Sequence, residues 1–134
     1  DTLESRGLGD VYKRQRKLSI SKDQGISWGD IFSDESLIEP ICQASMINIQ
    51  RPFKKQLLAF SNPNSKNVRE KMTIQFSLDQ AETWSQKILI HEGPSAYSNL
   101  VQLSNNEIAC LFEGGKKSAY EGIAFKKINI KDIK

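Results

Sequence analysis

The sequence predicts an all-β chain of antiparallel strands in meander order, and three observations carry that prediction. From Lys17 onward, short runs of alternating apolar and polar residues are separated by polar turns. No stretch places its apolar residues at the helical period. One eight-residue motif occurs twice, each time directly after an alternating run.

The alternating runs are Lys17–Ser21, Ile41–Ile49, Gln56–Ser61, Lys71–Ser77, Gln86–Ile90, Tyr97–Leu103, Glu107–Glu113 and Gly122–Ile130. In Lys71–Ser77 the apolar Met72, Ile74 and Phe76 share one face, and Lys71, Thr73 and Gln75 share the other. The separators carry turn chemistry: Asp23-Gln24-Gly25, Asn62-Pro63-Asn64, Gly93-Pro94, Asn105-Asn106 and Gly114-Gly115.

The repeated motif reads Ser21-Lys22-Asp23-Gln24-Gly25-Ile26-Ser27-Trp28 and returns 56 positions later as Ser77-Leu78-Asp79-Gln80-Ala81-Glu82-Thr83-Trp84. Units of about 40–50 residues with about four strands each are β-propeller spacing. In the motif, Asp bonds nearby backbone amides and Gly accepts positive φ. The hydroxyl residue adds a local bond, and the Trp is expected to plug its own blade. Ala81 replaces the Gly in the second copy, so a strained or altered turn is expected there. On this reading residues 41–90 make one four-stranded antiparallel blade, and residues 97–130 supply three strands of the next. The segment after Trp28 completes an earlier blade.

Composition narrows the function classes. The 134 residues are 38% hydrophobic and 26% charged, as in a globular chain. The net charge of +3 is too small and too dispersed to imply a nucleic-acid partner. No apolar run approaches the roughly 18 residues of a membrane span. Cys42 and Cys110 are isolated in sequence and read as core residues, and His91 is the single histidine and is assigned no role. Neither a metal centre nor an organic cofactor is expected.

Residues 1–15 are set apart. The chain opens on Asp1, and DTLESRGLGDVYKRQ lacks the alternation that follows. The stretch is similar to translated sequencing-adapter segments, so it is read as non-native, with 16–134 as the domain.

The motif S-x-D-x-G-x-[ST]-W resembles the Asp box of sialidases, and other segments extend the likeness in the family's order over roughly residues 16–130. Ser61-Asn62-Pro63-Asn64-Ser65 with Arg69 is similar to the family segment that holds an arginine of the substrate clamp. Gly93-Pro94-Ser95-Ala96-Tyr97-Ser98-Asn99-Leu100 resembles the stretch with the nucleophilic tyrosine. Ala109-Cys110-Leu111-Phe112-Glu113 is similar to the strand that follows it, and Glu39-Pro40-Ile41-Cys42-Gln43-Ala44-Ser45 to a strand after an Asp box. The resemblance implies the C-terminal part, about half, of a six-bladed sialidase propeller. It also implies a secreted, periplasmic or cell-surface setting and a sialylated glycan as substrate.

By that resemblance Tyr97 is the nucleophile, Arg69 one of three arginines that clamp the substrate carboxylate, and Glu113 a carboxylate that holds another clamp arginine. Gln43 is a candidate for lining the site or for simple strand packing. Taken singly, the first three also have ordinary readings: a half-buried strand tyrosine, a solvated loop charge and a strand-end acid. The resemblance puts the general-acid Asp, the tyrosine-activating Glu and the first clamp arginine upstream of this chain, which alone is then expected to be inactive. The remaining clamp arginine should precede the first Asp box. Arg14 and Arg16 stand there, and neither is assigned. A trans-sialidase uses the same residues, and a non-catalytic Asp-box propeller or sugar-binding module is the alternative from another class.

Overall fold

The computed structural model describes residues 13–134, which form eight strands and, among the described residues, no helix. They are β1 Gln15–Leu18, β2 Phe32–Ile38, β3 Ser45–Ile49, β4 Leu57–Pro63, β5 Glu70–Ser77, β6 Gln86–Ser104, β7 Glu107–Gly114 and β8 Gly122–Asn129. β1 and β2 pair with each other, and β3 to β8 pair in sequence order, every pairing antiparallel. Residues 1–12 of the segment set apart above lie outside the described residues. Arg14 and Gln15 take part in the fold: the Arg14 carbonyl accepts the Glu39 amide at 2.9 Å, and Gln15 opens β1.

β6 joins two runs that the sequence separates at Gly93-Pro94. Its first part pairs with β5, from Phe76↔Gln86 to Glu70↔Pro94, and its second with β7, from Ser95↔Gly114 to Ser104↔Glu107. Pro94 has no N–H to give to a ladder, so the exchange of partners falls where a donor is already missing. The Ser95 amide instead reaches the Arg69 carbonyl at 2.9 Å, and the Pro94 carbonyl accepts the Gly115 amide at 3.1 Å. Asn62-Pro63 likewise ends β4 instead of forming a turn.

Two apolar layers hold the sheets together. Met72, Ile74 and Phe76 of β5 pack with Leu57 and Ala59 of β4, Leu100 of β6 and Ile108, Cys110 and Phe112 of β7. Replacing a fully buried side chain such as Ile74 by Ala costs about 2–5 kcal/mol in such a setting. The opposite face of β5 is not wet: Thr73 and Gln75 are also buried, Gln75 paired in register with Phe60. On that side Leu37 of β2, Phe60 and Trp84 form a second cluster, joined by Leu18 and Leu58.

Both Asp boxes fold alike. Asp23 Oδ1 accepts the Ser27 amide at 2.8 Å, and Asp79 Oδ1 accepts the Thr83 amide at 2.8 Å. The Ser21 and Ser77 hydroxyls donate to these carboxylates, each at 2.8 Å. Gly25 has φ +91°, and Ala81 is held at φ +71°, the left-handed region that costs an alanine about 1–2 kcal/mol. The substitution therefore strains the second turn without reshaping it.

The two tryptophans differ: Trp84 packs against Phe60 of its own blade, as the sequence predicts, whereas Trp28 does not plug its blade. Trp84 is buried between sheets, its ring tilted at 55° to that of Phe60 and its indole N–H donated to Asp34 of β2 at 3.1 Å. Trp28 is 61% exposed. Trp84 reaches the preceding two-stranded sheet through Asp34, and among the described residues no sheet precedes β1 for Trp28 to meet.

Candidate active site

The exchange point of β6 organises the site. Between the pairs Ser95↔Gly114 and Ser98↔Phe112 the register shifts, and such a bulge re-aims the side chains within it. Tyr97 sits there, half exposed, with its amide donated to Glu113 Oε2 at 3.1 Å across the β6–β7 pair. Gln43 acts as a substitute strand partner for the next residue. Its Oε1 accepts the Ser98 amide at 2.9 Å and its Nε2 donates to the Ser98 carbonyl at 3.0 Å.

Arg69 immediately precedes β5, and its carbonyl is tied to the exchange point through Ser95. Its guanidinium carbon lies 5.8 Å from the centre of the Tyr97 ring. One terminal nitrogen donates to the Ile41 carbonyl at 2.9 Å and the other to the Tyr120 hydroxyl at 2.8 Å. Arg69 and Tyr97, both singled out from the sequence, line the same cleft.

Arg16, on β1, enters the same cleft. It donates to the Cys42 carbonyl at 2.6 Å and pairs with Glu39 Oε2 at 2.8 Å. Burial pulls the Arg16 pKa down, opposed by Glu39, and pushes the Glu39 pKa up, opposed by Arg16. Each charge thus offsets the desolvation of the other. Burial also raises the Cys42 thiol, which leaves it a poor nucleophile.

Two cations share the cleft because consecutive carbonyls hold them, Ile41 for Arg69 and Cys42 for Arg16. The chain turns sharply to present both: Ile41 has φ +57°, which a β-branched residue adopts only at a cost of about 1–3 kcal/mol. This explains why β3 begins at Ser45 and not at Ile41. The cleft is open, with a volume of ≈ 340 Å³, and its walls include Arg16, Glu39, Gln43, Arg69 and Tyr97. A second hollow of ≈ 300 Å³ is also lined by Tyr97, together with Leu111, Glu113 and Ile123. Among the described residues Arg16 pairs with Glu39 and Lys127 with Glu107, and Glu113 is joined to the Tyr97 amide.

Sequence reading missed three members of this group. Arg16 stood in the right place before the first Asp box but next to the segment that had been set apart. Glu39 lies in a strand-like stretch that gives no sign of its ion pair, and Tyr120 lies in a loop 51 positions from its partner. Among the described residues no three of His, Cys, Asp and Glu are grouped to hold a metal, and no helix is long and apolar enough to cross a membrane.

No protein-family model matches the chain. Individual relatives do. It is 35% identical over 125 residues to a sialidase of Bacteroides fragilis, covering 88% of this chain and 22% of that protein. A sialidase of Micromonospora viridifaciens is 31% identical over 123 residues, 86% of this chain and 18% of the relative. Among solved structures, the Hadza microbial sialidase Hz136 superposes with a TM-score of 0.72 at 33% identity, over 84% of this chain and 22% of that one. The leech intramolecular trans-sialidase shares the fold, with a TM-score of 0.74 at 23% identity over 87% of this chain and 20% of that one. The chain thus spans about a fifth of the length of the proteins it matches. Its sheets are part of a sialidase-type β-propeller, with Arg69, Arg16 and Tyr97 grouped at one cleft of it. By sequence and by fold, the chain belongs to the sialidase family.

Proposed function

We propose that the whole protein is a retaining exo-sialidase, hydrolysing terminal α-linked sialic acid from glycoconjugates, with Tyr97 as nucleophile. One observation carries the reading: two guanidinium groups, of Arg69 and Arg16, share a cleft with the half-exposed Tyr97. Sialic acid bears a carboxylate on the carbon under attack. Planar guanidinium forks match that carboxylate with parallel charge-assisted hydrogen bonds. An Asp or Glu nucleophile would approach this existing negative charge, whereas a neutral phenol does not. Sialidases are accordingly the tyrosine exception among retaining glycosidases.

In the proposed sequence the carboxylate docks on Arg69 and Arg16. The Tyr97 oxygen then attacks C2 as the glycosidic bond breaks. The phenolic proton passes to a base, and the leaving oxygen takes a proton from a general acid. The family resemblance puts both groups elsewhere in the whole protein. Water next attacks C2 of the sialyl-tyrosine and releases the phenol, and the two inversions give net retention. Glu113 fixes the backbone of Tyr97 through its amide and remains the expected holder of a further clamp arginine. Gln43 keeps Ser98 in register beside the nucleophile and lines the cleft.

A 2,3-difluorinated sialic acid tests the covalent step, because its slow second step lets the adduct accumulate. In the whole protein the expected result is a peptide spanning Tyr97 that carries the sugar mass. A label on another residue would overturn the assignment. Binding of the sugar without turnover or label would favour a sugar-binding module.

A further inference from the structure

Tyr120 is 63% exposed, and the loop that carries it is built to a narrow specification. Glu121 caps the turn, its carboxylate accepting the amides of Lys116 at 2.7 Å, Lys117 at 2.9 Å and Ser118 at 3.2 Å. These bonds, that from Lys116 foremost, hold the Glu121 carboxyl below its ordinary pKa. A Cβ on Gly115 would collide with the Ser118 carbonyl oxygen, so the loop closes only over a glycine. At its base His91 Nε2 lies 3.0 Å from the Gly115 carbonyl, and Gly115 is also tied to Pro94. The residue before Tyr120, Ala119, is buried against Cys42 and Ala96. That plug seats the loop on the floor of the cleft, and the Tyr120 hydroxyl meets Arg69 as a result.

We propose that Tyr120 is a positioning residue for Arg69, holding its guanidinium so that a substrate carboxylate meets a fork already set in place. Tyr120 accepts at one terminal nitrogen and Ile41 at the other, and each of these nitrogens keeps a second N–H for the ligand. Fixing a long side chain before binding removes an ordering cost that would otherwise weaken the complex. The site's use for a carboxylate rests on the sialidase reading above; the pinning of Arg69 does not.

The test replaces Tyr120 by Phe in the whole protein, deleting one oxygen from an exposed residue, with thermal melting to show that the fold persists. Two readouts are taken. Phenylglyoxal modification followed by peptide mass spectrometry reports how freely Arg69 moves, with the buried Arg51 as internal control. Titration with a 2,3-didehydro sialic acid and steady-state kinetics report binding and turnover.

Expected in Tyr120→Phe are several-fold faster labelling of Arg69, unchanged labelling of Arg51, and affinity for the sugar weaker by roughly 5- to 20-fold. KM should rise with kcat less affected, and in an Arg69→Lys background the same change should add little. Unchanged Arg69 labelling overturns the proposal. Faster labelling with unaltered affinity overturns its extension to the ligand. Faster labelling in a protein whose wild type ignores the sugar upholds the pinning of Arg69 and sinks the sialidase reading instead.

Discussion

The indole N–H of Trp84 donates to the carboxylate of Asp34 at 3.1 Å, linking the second Asp box to a strand of the neighbouring sheet. Trp28, at the matching position of the first box, is exposed. Substituting the two by alanine should therefore give opposite results. Trp84→Ala is expected to cost about 3–5 kcal/mol, the loss of a large buried ring. Trp28→Ala should stay within about 0.5 kcal/mol. Urea unfolding of both variants checks the contrast, and equal losses would refute the inter-sheet role.

Ala81 occupies a backbone conformation that suits glycine. Ala81→Gly should stabilise the chain by about 0.5–1 kcal/mol, reduced by the contacts Ala81 makes with the second core cluster. Gly25→Ala, at φ +91°, should destabilise by about 1 kcal/mol. Melting temperatures moving the other way would show that the boxes do not share one turn geometry.

The box carboxylates make the turns acid-sensitive. Bonds from the Ser27 hydroxyl and amide, then from the Ser21 hydroxyl, lower the Asp23 pKa from 3.8 to about 2. A carboxylate depressed on folding contributes stability that is fully present above its unfolded pKa and lost as pH falls through the folded one. The first turn should accordingly loosen between about pH 4 and pH 2. Asp79 shifts in the same direction, chiefly through Thr83. Carbon-detected NMR titration of the two carboxyls would follow this, with Ser27→Ala returning Asp23 toward ordinary behaviour.

At the cleft, Tyr97→Phe in the whole protein should lower kcat by several orders of magnitude and leave affinity for an inert sugar largely intact. Arg69→Ala should weaken both, because under the proposed function it removes a carboxylate contact made before and during reaction. Arg16→Ala should do the same and also leave Glu39 buried without its partner, with a loss of roughly 3–5 kcal/mol in stability. Near-normal turnover in Tyr97→Phe would dismiss the nucleophile assignment.

The outer face of β6–β8 is apolar and uncovered among the described residues. Leu111 and Phe125 stand opposite each other on it, with Ile123 and Val101 nearby, all substantially exposed. Patches of this kind promote association. The 134-residue chain should elute from a sizing column above its monomer mass, and Leu111→Glu with Phe125→Lys should shift it toward monomer. A clean monomer at high concentration would argue against an exposed face.

Much of the fold was legible because local pattern and tertiary role agree. The alternation of Met72, Ile74 and Phe76 names the face of β5 that enters the main apolar cluster, though not the burial of Thr73 and Gln75 behind it, and the repeated box names two equivalent turns. β2 was harder to bound, since Phe32-Ser33-Asp34-Glu35-Ser36 carries little apolar alternation and is held by pairing with β1. Gly93-Pro94 looks like a breaker, yet a missing donor also suits a strand that is changing partners. For the site, Tyr97 and Arg69 were readable from their motifs. Tyr120 was not, because its importance arises only when Ala119 finds a hollow between Cys42 and Ala96.

The 19-residue β6 belongs to two ladders at once, and this bears on how the molecule comes apart. In a stacked array each unit can melt while its neighbour stays intact, because adjoining units meet only through side chains. Here a single continuous backbone is common property, so fraying one ladder pulls on the other at Tyr97. The two should exchange their amide hydrogens as one block, and a proteolytic boundary between residues 86 and 104 should be resisted. The catalytic candidate thus stands on the beam that neither half can release alone.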